Sequence, residues 1–151
     1  MHRAIEQYVV FVLGERRFCL RLNTVERVVH VAEITPLPKA PDIVMAVLNV
    51  GGEIIPVVDI RKRFALPPKD VNLSDQIIIA QTDKRKVAMI VDTVTGVIRA
   101  PQGNMAPAAS ILSDTDYLAG VIKLPDGLVL IHDLDTFLSL GEKKALESAI
   151  E

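Results

Sequence analysis

The chain has 151 residues, 50% of them apolar and 24% charged, with a formal net charge of -2. That apolar content excludes a disordered polymer and suffices for one compact domain or two small, apposed subdomains. The near-neutral balance excludes the broad basic footprint of a nucleic-acid binder, and four Phe, two Tyr and no Trp leave little for base stacking.

In chain order the first elements are strands. Tyr8 to Leu13 is a continuous apolar run, Gly14-Glu15 is a turn, and Phe18, Leu20 and Leu22 then alternate with Cys19 and Arg21 at period two, which predicts a β-hairpin. Val25 to Ala32 continues as a strand, after which Pro36, Pro38 and Pro41 keep the connection extended. Met45 to Val50 and Glu53 to Val58 flank Gly51-Gly52, a turn dipeptide of tight hairpins. Pro56 removes a ladder donor, so its strand is expected at an edge or bulged there. Asp59 caps a short helix with Ile60 and Phe64 on one face, and Pro67-Pro68 ends the unit.

A second unit follows the same plan. Ile77 to Ala80 and Val87 to Val91 form its first hairpin, and Val94 to Ala100 its next strand. Pro101 to Asp116 reads as a loop. Tyr117 to Leu124 and Leu128 to His132 flank Asp126-Gly127, another hairpin turn, and Asp133 repeats the cap. Ser139 and Glu142 have capping-box spacing, which opens a final helix over about 140–150.

The two units correspond without gaps. Gln7 to Val25 can be laid on Gln76 to Val94, and Ala46 to Phe64 on Gly120 to Leu138, which pairs Asp59 with Asp133 and Ile60 with Leu134. Two stretches echoed in the same order indicate duplication of a folding unit. The expected fold is mainly β: about five short strands and one short helix per unit, suited to a small barrel, with subdomains at about 7–66 and 76–140.

Reactive chemistry is sparse. His2, His30 and His132 have no Cys, His or carboxylate at a metal-site spacing, so neither metal nor cofactor is expected. Asp59 and Asp133 read as helix caps rather than an acid–base pair, and Gly51-Gly52 as a hairpin, since no phosphate-binding glycine motif is present. His132 reads as a structural histidine beside a cap, and Cys19 as a small buried hydrophobe. As the only cysteine, it also rules out an intramolecular disulfide. The basic run Arg61-Lys62-Arg63, with Arg16, Arg17 and Lys84 to Lys86, reads as a solvated face, with an acidic partner surface as the other reading. A repeated β unit without repeated reactive residues suits a binding scaffold rather than an enzyme. With no apolar run near the roughly 18 residues of a membrane span and no signal-peptide pattern in Met1 to Gln7, a cytoplasmic location without membrane insertion is expected.

The block from Val47 through Asn49, Gly51, Gly52, Pro56, Val57, Val58, Asp59, Ile60 and Arg61 to Phe64, preceded by Phe11 to Gly14, Phe18 to Leu22 and the proline segment ending at Pro41, resembles the CheW family of chemotaxis coupling proteins. The resemblance runs from about Gln7 to Leu140. It implies two intertwined five-stranded SH3-like barrels, no catalysis, and a linking role between the cytoplasmic tip of a chemoreceptor and the regulatory domain of a CheA-type histidine kinase, in membrane-associated receptor arrays. It further implies kinase contact near Met45, Gly51 and Gly52, and receptor contact in an apolar groove with Val25, Val28, Val97 and Ile98 as candidates. A peptide- or small-ligand-binding β-barrel unconnected with chemotaxis is the other reading.

Three positions depart from the family pattern. Gly51 stands where an arginine usually precedes the hairpin glycine, Arg27-Val28-Val29-His30 replaces a segment that usually begins with glutamate, and Ala46 replaces a glycine. If the family's Glu and Arg face one another across neighbouring strands, both have been lost together at Arg27 and Gly51, leaving a surface of altered charge; His30 reads as an exposed, inert histidine, with contact to a partner as the other reading. A divergent partner in an accessory chemosensory pathway is the expectation that follows.

Overall fold

A computed structural model describes residues 5–31, 34–36, 44–63, 66, 71–82, 85–101, 105–106 and 118–132. The strands are β1 (Ile5–Leu13), β2 (Arg16–Arg21), β3 (Val25–His30), β4 (Ile34–Pro36), β5 (Val44–Val50), β6 (Glu53–Val58), β7 (Gln76–Gln81), β8 (Lys86–Val91), β9 (Thr93–Pro101), β10 (Met105–Ala106), β11 (Leu118–Leu124) and β12 (Gly127–His132). A 3-10 turn, Leu22–Thr24, follows β2, and a four-residue helix α1, Ile60–Arg63, follows β6. The short strands β4 and β10 lie where the sequence suggested an extended connection and a loop. The expected final helix and the Asp133 cap fall outside the described residues.

Two curled six-stranded sheets result, ordered β3-β7-β8-β6-β5-β4 and β9-β1-β2-β12-β11-β10. Each takes four strands from one half of the chain and one hairpin from the other: β7–β8 sits in the first sheet, and β1–β2 in the second. The duplication extends to register. Val57 faces Ala88 in a parallel pairing, and Ile131, the counterpart of Val57, faces Cys19, the counterpart of Ala88. Val28 faces Ile78 as Val97 faces Val9. The bulges recur too, at Glu26 and Thr95 and again at Met45 and Ala119.

The exchange explains why two hairpins read as unbroken apolar runs. A strand with one polar face alternates, whereas a strand buried on both faces does not. Ile77 and Ile79 point into the first sheet's core with Leu48, Ile55 and Val57, while Ile78 and Ala80 join a central core with Phe11, Phe18 and Met89. Tyr8, Val10 and Cys19 fill the second sheet's core with Ile122, Val129 and Ile131. Pro56 lies in an interior strand, contrary to the edge placement expected of it, and the nearby bulge is in β5. The β8 pairing covers only Val57 and Val58, so Pro56 is paired on the β5 side alone and its missing donor costs no ladder bond there.

Candidate functional site

Among the described residues β3 and β9 are edge strands, each hydrogen-bonded on one side only, to β7 and β1 respectively. A bulge interrupts alternation in each, at Glu26 and Thr95, so burial rather than alternation tells which side chains are open to solvent. On β3, Arg27 and His30 are exposed and Val28 is 38% exposed, while Val25 packs on the central core and Val29 on the first sheet's core. On β9, Val97 is 52% exposed and Ile98 packs on the second sheet's core. Val28 and Val97 are therefore equivalent solvent-facing positions, one on each sheet, and Val25 and Ile98 are chiefly packing residues. Arg27, Val28 and His30 share one edge; Val97 stands on the other.

The β5–β6 turn is exposed and built for glycine. Gly51 at φ 58° and Gly52 at φ 89° have the positive angles of a type I′ turn, and Asn49 Oδ1 accepts the Gly52 amide at 3.0 Å. Met45, at the bulge in β5, is partly buried against the first sheet's core. Just beyond each turn lies an exposed apolar side chain: Ile54, two residues after Gly52, and, at the equivalent repeat position, Leu128, directly after Gly127. Sequence alternation alone gave no sign of this second pair, because each position opens an unbroken apolar run, Ile54 to Val58 and Leu128 to Ile131. In the hydrogen-bonded order, β7 and β8 separate β3 from β6, so Arg27 and the Gly51 turn do not lie on neighbouring strands as the charge-pair idea supposed.

Several basic residues are already engaged with carboxylates of the protein itself. Lys86 Nζ donates to Glu26 at 3.0 Å and Glu53 at 3.2 Å, and these hydrogen bonds, first that to Glu26, push the ammonium above its ordinary pKa. Arg17, the counterpart of Lys86, forms a two-pronged pair with Asp126 at 3.2 Å. Arg61 pairs with Asp92, whose other oxygen accepts the Gly14 amide at 2.8 Å. The sequence gave no sign of Asp92's role; its mismatch with Asn23 at the equivalent repeat position was the available clue. Arg16 is exposed, beside Leu128 in an open groove of about 360 Å3 that carries both charge signs.

Asp59 Oδ1 accepts the Arg61 amide at 3.1 Å, the N-cap geometry expected of it. Asp59, Arg61, Asp75 and Asp92 also line a cavity of about 30 Å3, room for about one water and not for a substrate. Among the described residues, no three His, Cys, Asp or Glu side chains gather at metal-binding distance. Cys19 is buried, and burial pushes its thiol up to about 12. His132 is buried at the end of β12, as a structural histidine would be. The chemistry available is that of exposed sheet edges and hairpin turns, which suits recognition of a protein surface.

Comparison with known proteins agrees with this arrangement. The model of the CheW-like domain matches residues 7–142. The chemotaxis protein CheW of Rhizobium meliloti is 26% identical over 141 residues, covering 92% of this chain and 91% of that protein. The chemotaxis protein CheW of Klebsiella aerogenes is 25% identical over 145 residues, covering 95% and 87%. The crystal structure of the scaffolding protein TtCheW from Thermoanaerobacter tengcongensis superposes with a TM-score of 0.83 at 29% identity, covering 92% of this chain and 96% of that one.

Proposed function

Because the chain belongs to the CheW-like domain family, we propose that it is a noncatalytic adaptor that couples the cytoplasmic tip of a chemoreceptor to the regulatory domain of a CheA-type histidine kinase. The observation that carries this reading is the match of family and fold over nearly the whole chain, on a scaffold whose convergent carboxylates enclose space for one water only. In this proposal the β5–β6 turn with Gly51 and Gly52, supported by Met45, meets the kinase domain. The outward faces of β3 and β9 meet the receptor through Val28 and Val97, with Arg27 and His30 setting charge preference, and Val25 and Ile98 hold those strands in shape. Arg27 and the arginine-free Gly51 turn further favour a divergent partner pair, in an accessory chemosensory pathway at the cytoplasmic face of the membrane.

The test is binding and kinase activation with a purified CheA-type kinase and receptor signalling fragments from the same cell. Binding to both, with kinase activity raised only when all three are present, is the expected outcome; binding to neither would overturn the adaptor reading. Val28→Asp and Val97→Asp should each weaken receptor binding at least tenfold and leave kinase binding intact. Gly51→Arg, alone and with Arg27→Glu, should raise affinity for a receptor tip of a standard flagellar pathway. Equal affinity in all three forms would sink the accessory-pathway reading. No atom lies within 4 Å of a Cβ placed at Gly51, so the added side chain has room and meets only the strain of positive φ.

A further inference from the structure

Hairpin exchange leaves neither half with a core of its own. The first sheet's core needs Ile77, Ile79 and Ala88 from the second half, and the second sheet's core needs Tyr8, Val10 and Cys19 from the first. The polar ties run the same way: Gly14 to Asp92, Arg61 to Asp92, Arg17 to Asp126, and Lys86 to both Glu26 and Glu53. By contrast, the stretch that leads from the first half into β7 contributes little. Val71, Asn72, Leu73 and Ser74 are exposed, Leu73 at 87%, the Asn72 amide and carbonyl close a local turn with Asp75, and Val71 alone borders the small cavity beside Asp59 and Asp92.

We propose that the seam between the halves is a self-sufficient protein–protein interface, whose partner is the complementary half-chain, and that the peptide link at 71–74 is dispensable once the fold has formed. The link then acts only by holding the halves at high effective concentration. Cutting it should leave one particle, a heterodimer of two polypeptides that share both sheets, and should open a route by which halves from two copies of the chain exchange.

The experiment uses the full chain with the recognition sequence of a site-specific protease inserted after Leu73. A second version carries it after Val71, which keeps the Asn72–Asp75 turn intact. Each is folded and then cut. The expected result is co-elution of both fragments at the position of the uncut protein on gel filtration, with unchanged far-ultraviolet circular dichroism and separation only in denaturant. The melting midpoint of the cut form should fall with each tenfold dilution, as for a bimolecular complex, while that of the uncut form stays fixed. Separation or aggregation of the halves on cutting would overturn the proposal, and so would failure of both uncut versions to fold, since the stretch would then be more than a tether.

Discussion

Arg61 of the first half is ion-paired with Asp92 of the second, and the same carboxylate accepts the Gly14 amide at the β1–β2 turn, so one side chain ties helix α1 to the exchanged hairpin. The Arg61 and Asp92 side chains are only 14% and 25% exposed, which places the pair in partial shielding from water. Asp92→Ala removes one carboxylate from a partly buried guanidinium and the acceptor of an amide, and should cost about 1–3 kcal/mol. Urea unfolding of Asp92→Ala, Arg61→Ala and the double variant measures it; a double variant less damaged than the sum of the singles is the expected signature of direct coupling.

The two outward valines and their inward neighbours should separate cleanly in stability. Val28→Asp and Val97→Asp place a carboxylate in water and should change unfolding free energy by no more than about 0.5 kcal/mol. Ile78→Asp, directly across the ladder from Val28 but fully buried in the central core, should prevent folding or cost more than about 4 kcal/mol. Val28 and Ile78 share a face, so thermal melts of the three variants measure how far the edge strand opens that face to water, independently of any binding assay.

Cys19 should be inert to thiol reagents in the native protein near neutral pH and react only on unfolding. Burial raises its pKa from 9.0 to about 12, so the native state holds a proton that the unfolded chain releases. Its contribution to stability is fully present below pH 9.0 and is lost as pH rises towards 12, with a slope of roughly 1.4 kcal/mol per pH unit within that window. Cys19→Ala, which copies Ala88 at the equivalent place, should flatten that slope while costing about 1 kcal/mol for the small void it leaves.

Lys86 gives a second alkaline dependence with the same sign. Its folded pKa is raised, so the stability from its bonds to Glu26 and Glu53 is present below the ordinary lysine value of 10.5 and is lost as pH rises through the folded value. Lys86→Met in a Cys19→Ala background should reduce the decline above pH 10.5, leaving the part that buried Tyr8 contributes, and raised salt should weaken the Lys86 effect in the parent, since the pair is exposed to solvent. Alkaline titrations of stability at two salt concentrations check both statements.

Asp59→Ala should cost about 1 kcal/mol through loss of the cap on the Arg61 amide, and Asp59→Asn should restore most of it, because an amide oxygen accepts the same bond. Guanidinium unfolding of the two variants distinguishes capping from any need for negative charge.

Strand positions, turns and the doubled plan were all legible from Gln7–Val25 and its echo, because period-two alternation and turn dipeptides are local signals. Hairpin exchange was not legible from those residues: Val57 beside Cys19 of its own half, or beside Ala88 of the other, satisfies the same pattern, since equivalent strands present equivalent faces. Only the family resemblance implied intertwining. Val25 and Val28 were grouped as contact residues and do share a face, opposite Ala80 and Ile78, differing only in burial, whereas Ile98 was grouped with Val97 because a one-residue offset reverses a strand's face and alternation leaves that phase open. Arg61 looked like part of a solvated basic run because its partner, Asp92, is distant in sequence.

The exchange of hairpins has a mechanical side. β3 is held by β7 and β9 by β1, so each outward edge rests on a strand that belongs to the opposite half of the chain. A tug on either edge is passed as shear along a ladder to a hairpin of the opposite half, and that hairpin continues along the chain into the other sheet's edge strand, β8 into β9 and β2 into β3.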